Sequence, residues 1–143
     1  MKSYFPDINV WLALAYQGHQ HHSAAIAWFR SLKDETIHFC RITQLGFLRL
    51  LTHPLVMRNE VRTQAEAWRA YDHLTADSRI VFHSEPELQE LEKKFRALTT
   101  SSRSSAQQWP DAYLAAFAEV AGLTLVTFDR ALSKLSDDAL LLG

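Results

Sequence analysis

The sequence is short of most of the residues that staple or punctuate a chain. A single cysteine, Cys40, stands among 143 residues. That excludes an internal disulfide and any zinc site built from cysteines, and makes a reducing cytoplasm the expected setting. Four glycines and four prolines exclude a collagen-like repeat, and no Gly-rich phosphate loop is present. No run approaches ~18 uncharged apolar residues, so no membrane-spanning helix is expected. The opening Met1-Lys2-Ser3 reaches Asp7 too soon to leave room for a signal-peptide core. An excess of one charge is lacking too, with 15 Lys and Arg against 16 Asp and Glu for a net of −1. On its face this argues against nucleic acid, because the footprint of a basic binder is missing.

What is present is 48% hydrophobic and 22% charged, a composition that excludes disorder and low complexity. A chain of this length buries about 70% of the surface its unfolded form exposes, so residues 1–143 are read as one domain with a proper core. The pattern predicts strands over Ser3–Pro6, Thr36–Cys40, Arg79–His83, Leu123–Thr127 and Ala139–Leu142. Helical spacing runs over Asn9–Tyr16, His21–Leu32, Thr43–Leu51, Gln64–Leu74 and Glu87–Leu98. An Ala-rich helix starts at Trp109-Pro110-Asp111 and ends at Gly122, and a short one follows Arg130. Thr99–Gln108, rich in Ser, Thr and Gln, reads as a loop. The order β-αα-β-αα-β-αα-β-α-β predicts an α/β fold, a three-layer α/β/α sandwich around a mostly parallel sheet.

In such a sheet, ligands bind beyond the carboxyl ends of the strands. Three acids fall at strand-to-helix junctions there: Asp7 after the first strand, Asp129 after Leu123–Thr127, and Asp111 at the start of the Ala-rich helix. Each alone also reads as a helix N-cap. Together they need a cation, because two carboxylates ~4 Å apart repel by ~4 kcal/mol at an effective dielectric near 20. An all-oxygen set suits Mg²⁺ or Mn²⁺ better than zinc.

Phe5-Pro6-Asp7-Ile8-Asn9-Val10, Trp109-Pro110-Asp111-Ala112 and Leu125-Val126-Thr127-Phe128-Asp129-Arg130 resemble, in order, the motifs of PIN-domain nucleases. Together with Arg41–Leu50, they most resemble the VapC toxins of type II toxin–antitoxin pairs. The resemblance implies a PIN-like fold and a Mg²⁺- or Mn²⁺-dependent endoribonuclease acting on RNA, with an antitoxin protein as partner and a homodimeric state. It implies metal ligation and catalysis by Asp7, Asp111 and Asp129. It also implies supporting roles for two neighbours, the Asn9 amide orienting Asp7 or a bound water and the Thr127 hydroxyl contacting phosphate or carboxylate. Both also read as local turn or cap hydrogen bonds. One departure stands out. Many relatives carry a further acid on the helix containing Arg49, where this chain aligns Gly46, with Gln44 the nearest polar residue.

Two other function classes are open at this stage. One is a non-catalytic PIN-like module whose site has decayed at Gly46. The other is a phosphohydrolase with Asp7 as nucleophile and Asp137-Asp138 holding the metal, although Asn9 stands where a second Asp is expected. His19, His21 and His22 cross a helix–helix turn without an acidic or Cys partner, which suits exposure or capping better than metal binding. Trp11, Trp28, Phe29, Phe47 and Trp68 read as core or interface, with base stacking open to Trp68 and Trp109. Arg103, in the Ser-rich loop, is a candidate phosphate contact.

Split by segment, the charge is less discouraging. Residues 1–57 carry +2, residues 58–103 balance, and the last 40 carry −3. One divalent ion at Asp7, Asp111 and Asp129 would turn −1 into about +1. Near-neutrality therefore excludes tight, indiscriminate backbone binding, not RNA.

Overall fold

The computed structural model describes residues 2–143. Five strands, β1 (Ser3–Pro6), β2 (Thr36–Phe39), β3 (Ile80–Phe82), β4 (Thr124–Thr127) and β5 (Ala139–Leu141), form one sheet in the order β3-β2-β1-β4-β5. Every pairing is parallel. The helices are α1 (Ile8–Ala15), α2 (His22–Ser31), α3 (Arg41–Leu51), α4 (Pro54–Met57), α5 (Gln64–Thr75), α6 (Leu88–Leu98), α7 (Gln108–Ala121) and α8 (Arg130–Ser133).

The three-layer sandwich follows from alternation along the strands. Side chains on a strand point to opposite faces in turn, and both faces here are apolar. Ile37, Phe39 and Val126 pack with Val10, Trp11, Trp28 and Phe47 from α1, α2 and α3. Phe5 and Leu125 pack on the other side with Leu91, Leu114, Phe117 and Leu132 from α6, α7 and α8. Trp11 stacks on Phe39 at 3.7 Å, and Phe5 on Phe117 at 4.8 Å. Pro6 is tolerated in a central strand because β1 pairs with β2 only through Ser3 and Tyr4. Its missing N–H removes no bond from that ladder.

The boundaries differ from the sequence pattern where a local bond or cap intervenes. Arg79 lies outside β3, because its backbone N–H and guanidinium are both held by Asp77 and its Nη1 also reaches Leu32 O. Cys40 leaves β2 to cap α3, which starts at Arg41, two residues before the expected Thr43. Between β2 and β3, the expected helix pair gains a short α4 and a 3-10 turn at Arg58–Glu60, because Pro54, which cannot extend α3, fits the first turn of a new helix. Trp68 is not core: it lies exposed on α5, edge-on to Tyr71.

The switch in strand order lies between β1 and β4. Parallel sheets open a crevice there, beyond the carboxyl ends of the two strands. Register pairs Pro6 with Val126, so the residues that follow, Asp7 and Thr127, meet at its mouth.

Candidate active site at the strand switch

Asp7 is built into the backbone around it. Its N–H donates to Val126 O at 2.9 Å, which continues the β1–β4 ladder by one rung. Its Oδ1 accepts the Val10 N–H at 3.0 Å and so caps α1. The buried Thr127 hydroxyl donates to Asp7 Oδ2 at 2.5 Å, and Thr127 Oγ1 accepts the Asp129 N–H at 2.9 Å. Three motif residues from opposite ends of the chain are therefore joined as Asp129 N–H to Thr127 hydroxyl to Asp7 carboxylate. Asp129 in turn caps α8 through Oδ1, which accepts from Ala131 and Leu132 N–H.

The capping readings of Asp7 and Asp129 are thus true, but they do not exhaust the side chains. Asp7 is only 6% exposed. Burial pushes its carboxyl up to about 6; the Thr127 and Val10 hydrogen bonds pull against this, and the nearby Asp111 and Asp129 charges add to it. Asp111, in the first turn of α7, is also raised, by burial and then by Asp129. The structure brings all three acids within electrostatic reach of one another, at the crevice. Among the described residues, no three His, Cys, Asp or Glu side chains are gathered tightly enough to hold an ion between them as placed. The donor set itself, all carboxylate oxygen around a buried anion raised to about 6, fits a hard divalent cation, which would relieve the cost of that anion.

The other expected residues fall as follows. Asn9 is exposed in the first turn of α1 and lines a polar cleft of about 520 Å³ between α1 and the Val56–Glu60 segment. Arg103 is exposed in the loop before α7, beside Gln108 and Trp109, and among the described residues it makes no ion pair. Trp109 is exposed and edge-on to Phe95. Gly46 faces Ile8, the residue after Asp7. A Cβ at Gly46 would press into Ile8 Cδ1 and stand 2.7 Å from its Cγ1. No acid fits there without moving α1, so Gly46 is a packing residue of the α1–α3 contact. Gln44 is buried and accepts from Arg41 Nη1 at 2.5 Å.

Two expectations are corrected or narrowed. Asp138 lies at the amino edge of the sheet, just before β5, where it binds the Thr124 hydroxyl and pairs with Lys2. A metal held there is at the opposite end of the strands from Asp7, so the phosphohydrolase arrangement fails. The three histidines are engaged locally: His19 Nδ1 accepts the His21 N–H, His22 Nδ1 donates to Ala13 O, and His21 stacks on Phe128 at 4.3 Å. Sequence reasoning missed the Glu85–Tyr113 bond, 2.5 Å long, beside the carboxyl ends of β2 and β3. A separation of 28 residues carries no spacing signal.

The PIN domain family model matches residues 4–138. Ribonuclease VapC41 of Mycobacterium tuberculosis is 44% identical over 133 residues, covering 90% of this chain and 90% of that protein. Ribonuclease VapC38 of the same organism is 29% identical over 138 residues, covering 91% and 87%. The crystal structure of M. tuberculosis VapC20, described as a sarcin-ricin loop cleaving toxin, superimposes with a TM-score of 0.66 at 17% identity, covering 92% of this chain and 94% of that one. A toxin–antitoxin complex from Klebsiella pneumoniae gives 0.57 at 14% identity, covering 96% of each chain. At these identities the solved structures speak to the fold.

Proposed function

Because this chain belongs to the PIN-domain family, we propose that it is an endoribonuclease of the VapC kind, the toxin of a type II toxin–antitoxin pair. The observation that carries the reading is the Asp129–Thr127–Asp7 chain of hydrogen bonds at the strand switch, with Asp111 close enough to raise the Asp7 carboxyl.

Asp7, Asp111 and Asp129 are the residues that would hold a divalent cation, Mg²⁺ with Mn²⁺ as the alternative. Such an ion, when bound, polarises a phosphoryl oxygen and lowers the pKa of a coordinated water. The chain's own contribution is placement. Thr127 holds one oxygen of Asp7 and the Val10 N–H holds the other, so the carboxylate cannot rotate away from the crevice. Burial keeps bulk water from screening it. Asn9, two residues after Asp7 in the first turn of α1, would orient a phosphate or a water, and Arg103 would approach the RNA backbone from the loop before α7. VapC-type relatives and the fold shared with a toxin–antitoxin complex support a cognate antitoxin and RNA as partners. A second copy of the chain is the expected self-partner. The cytoplasm is the proposed setting; no helix among the described residues is long and apolar enough to cross a membrane.

Incubating the purified chain with total RNA, with and without EDTA, tests this directly. We expect cleavage only with a divalent ion, and losses in Asp7→Asn and Asp111→Asn beyond the ~10–100-fold typical of changes around a metal's outer shell. EDTA-insensitive cleavage, or full activity in both variants, would overturn the reading.

A further inference from the structure

Beside the carboxylate crevice lies a second recess that the proposed chemistry does not use. It has a volume of about 430 Å³, ample for a nucleobase. Its lining includes Arg41, Phe82, His83, Glu85, Tyr113 and Phe117. Every one of these lies at or just after the carboxyl end of β2 or β3 or sits on α7, the helix that carries Asp111. Strands of a sheet lie about 4.8 Å apart, so the ends of β2 and β3 are about 5 and 10 Å from the end of β1. The floor is tied to the site as well: Phe117 stacks on Phe5, two residues before Asp7.

The walls are planar and one is open. Phe82 is 43% exposed, and the Arg41 guanidinium lies over its ring with 4.7 Å between centres. Phe117 and His83 meet edge-to-face at 5.6 Å. Unstacked RNA bases are recognised on aromatic and guanidinium planes of this kind. A polar group sets orientation. Glu85 Oε2 is held by the Tyr113 hydroxyl, while Oε1 takes no protein donor among the described residues. A carboxylate oxygen fixed in this way accepts from an exocyclic amino group and repels a carbonyl, so it favours cytosine over uracil.

We propose that this recess is a base-recognition subsite, in which Phe82 and Arg41 stack one unpaired base of the RNA and Glu85 selects a base bearing an amino group, cytosine over uracil. The inference rests on the ribonuclease reading. It assigns specificity residues to that activity; the carboxylates keep the chemistry.

Cut-site mapping on an RNA pool of random sequence, with the wild type, Phe82→Ala and Glu85→Gln, tests it. Both side chains are exposed, and circular dichroism checks that the variants fold. We expect the wild type to favour cytosine over uracil about 10-fold at one fixed position near the cut. Glu85→Gln should erase that preference, and Phe82→Ala should raise KM about 10-fold. An unchanged cut-site profile in both variants overturns the subsite. Binding of short single-stranded RNAs carrying 2-aminopurine to the Asp7→Asn chain provides a readout free of cleavage. Quenching lost in Phe82→Ala supports stacking, and quenching retained refutes it. Failure of the wild type to cut any RNA would sink the ribonuclease reading instead, which keeps the two failures apart.

Discussion

Gly46 offers the sharpest test of how the α1–α3 contact shapes the site. Replacing it with alanine sets two terms of opposite sign against each other. A helix-interior Gly→Ala change stabilises by roughly 0.5–1 kcal/mol through backbone entropy. The new Cβ, however, meets Ile8 Cδ1 and Cγ1, the latter at 2.7 Å, where an ordinary carbon contact is about 3.5–4.0 Å. Overpacking of this sort costs about 1–3 kcal/mol. The expected net is a loss of about 1 kcal/mol. Unfolding entropy of ~2.1 cal/mol/K per residue over 143 residues converts this to a fall in Tm of about 3 °C. In an Ile8→Ala background all three crowding atoms are gone, so the same Gly46→Ala change should stabilise by up to about 1 kcal/mol. Thermal and urea unfolding of the four proteins in this cycle, in EDTA, gives the coupling directly. A loss of equal size in both backgrounds, or a gain with Ile8 intact, would refute the packing account of Gly46. Gly46→Glu, read by the same logic, should destabilise the chain without tightening metal binding.

Three further outcomes follow from named contacts. Because the folded Asp7 carboxyl is raised to about 6 from an ordinary 3.8, its ionisation opposes folding. Stability should fall by about 3 kcal/mol as pH climbs from below 4 to above 6 in EDTA. Asp7→Asn should flatten that segment of a urea-midpoint profile; a wild-type profile that rises over this range would contradict the assignment. Thr127→Val removes the hydroxyl that joins Asp7 to Asp129 and should cost about 1–3 kcal/mol along with most RNA cleavage. Thr127→Ser should recover both, and cleavage by the valine variant at the wild-type rate would dismiss the positioning role. Gly122 caps α7 at φ +71° with nothing within 4 Å of a notional Cβ, so Gly122→Ala should cost about 1 kcal/mol in urea unfolding through backbone strain alone.

The fold was legible in the sequence because it is written in short-range code. Apolar runs with residues such as Asp7 and Asp129 behind them mark strand ends, and Pro110 and Gly122 bracket α7. The three acids could be ordered along the chain from their junctions alone. Other features depend on distant partners and left no local trace. The tie between Thr127 and Asp7 spans 120 residues. The role of Gly46 is set by Ile8 on another helix, so alignment suggested a lost acid where packing needed an absent side chain. The extra turn at Pro54–Glu60 was hidden because Pro54 both ends α3 and begins α4.

The pairing of β1 with β4 bears on when activity can first arise during biosynthesis. Asp7 is among the first residues to leave the ribosome, but its long-range hydrogen-bond partners and its neighbouring acids belong to residues 111–129. At ~5–20 residues per second, several seconds separate the two ends of the crevice. Until β4 is made, Asp7 has neither the Val126 carbonyl nor the Thr127 hydroxyl that seat it. On the ribonuclease reading proposed above, the crevice that would cut RNA is completed only by the last third of the polypeptide.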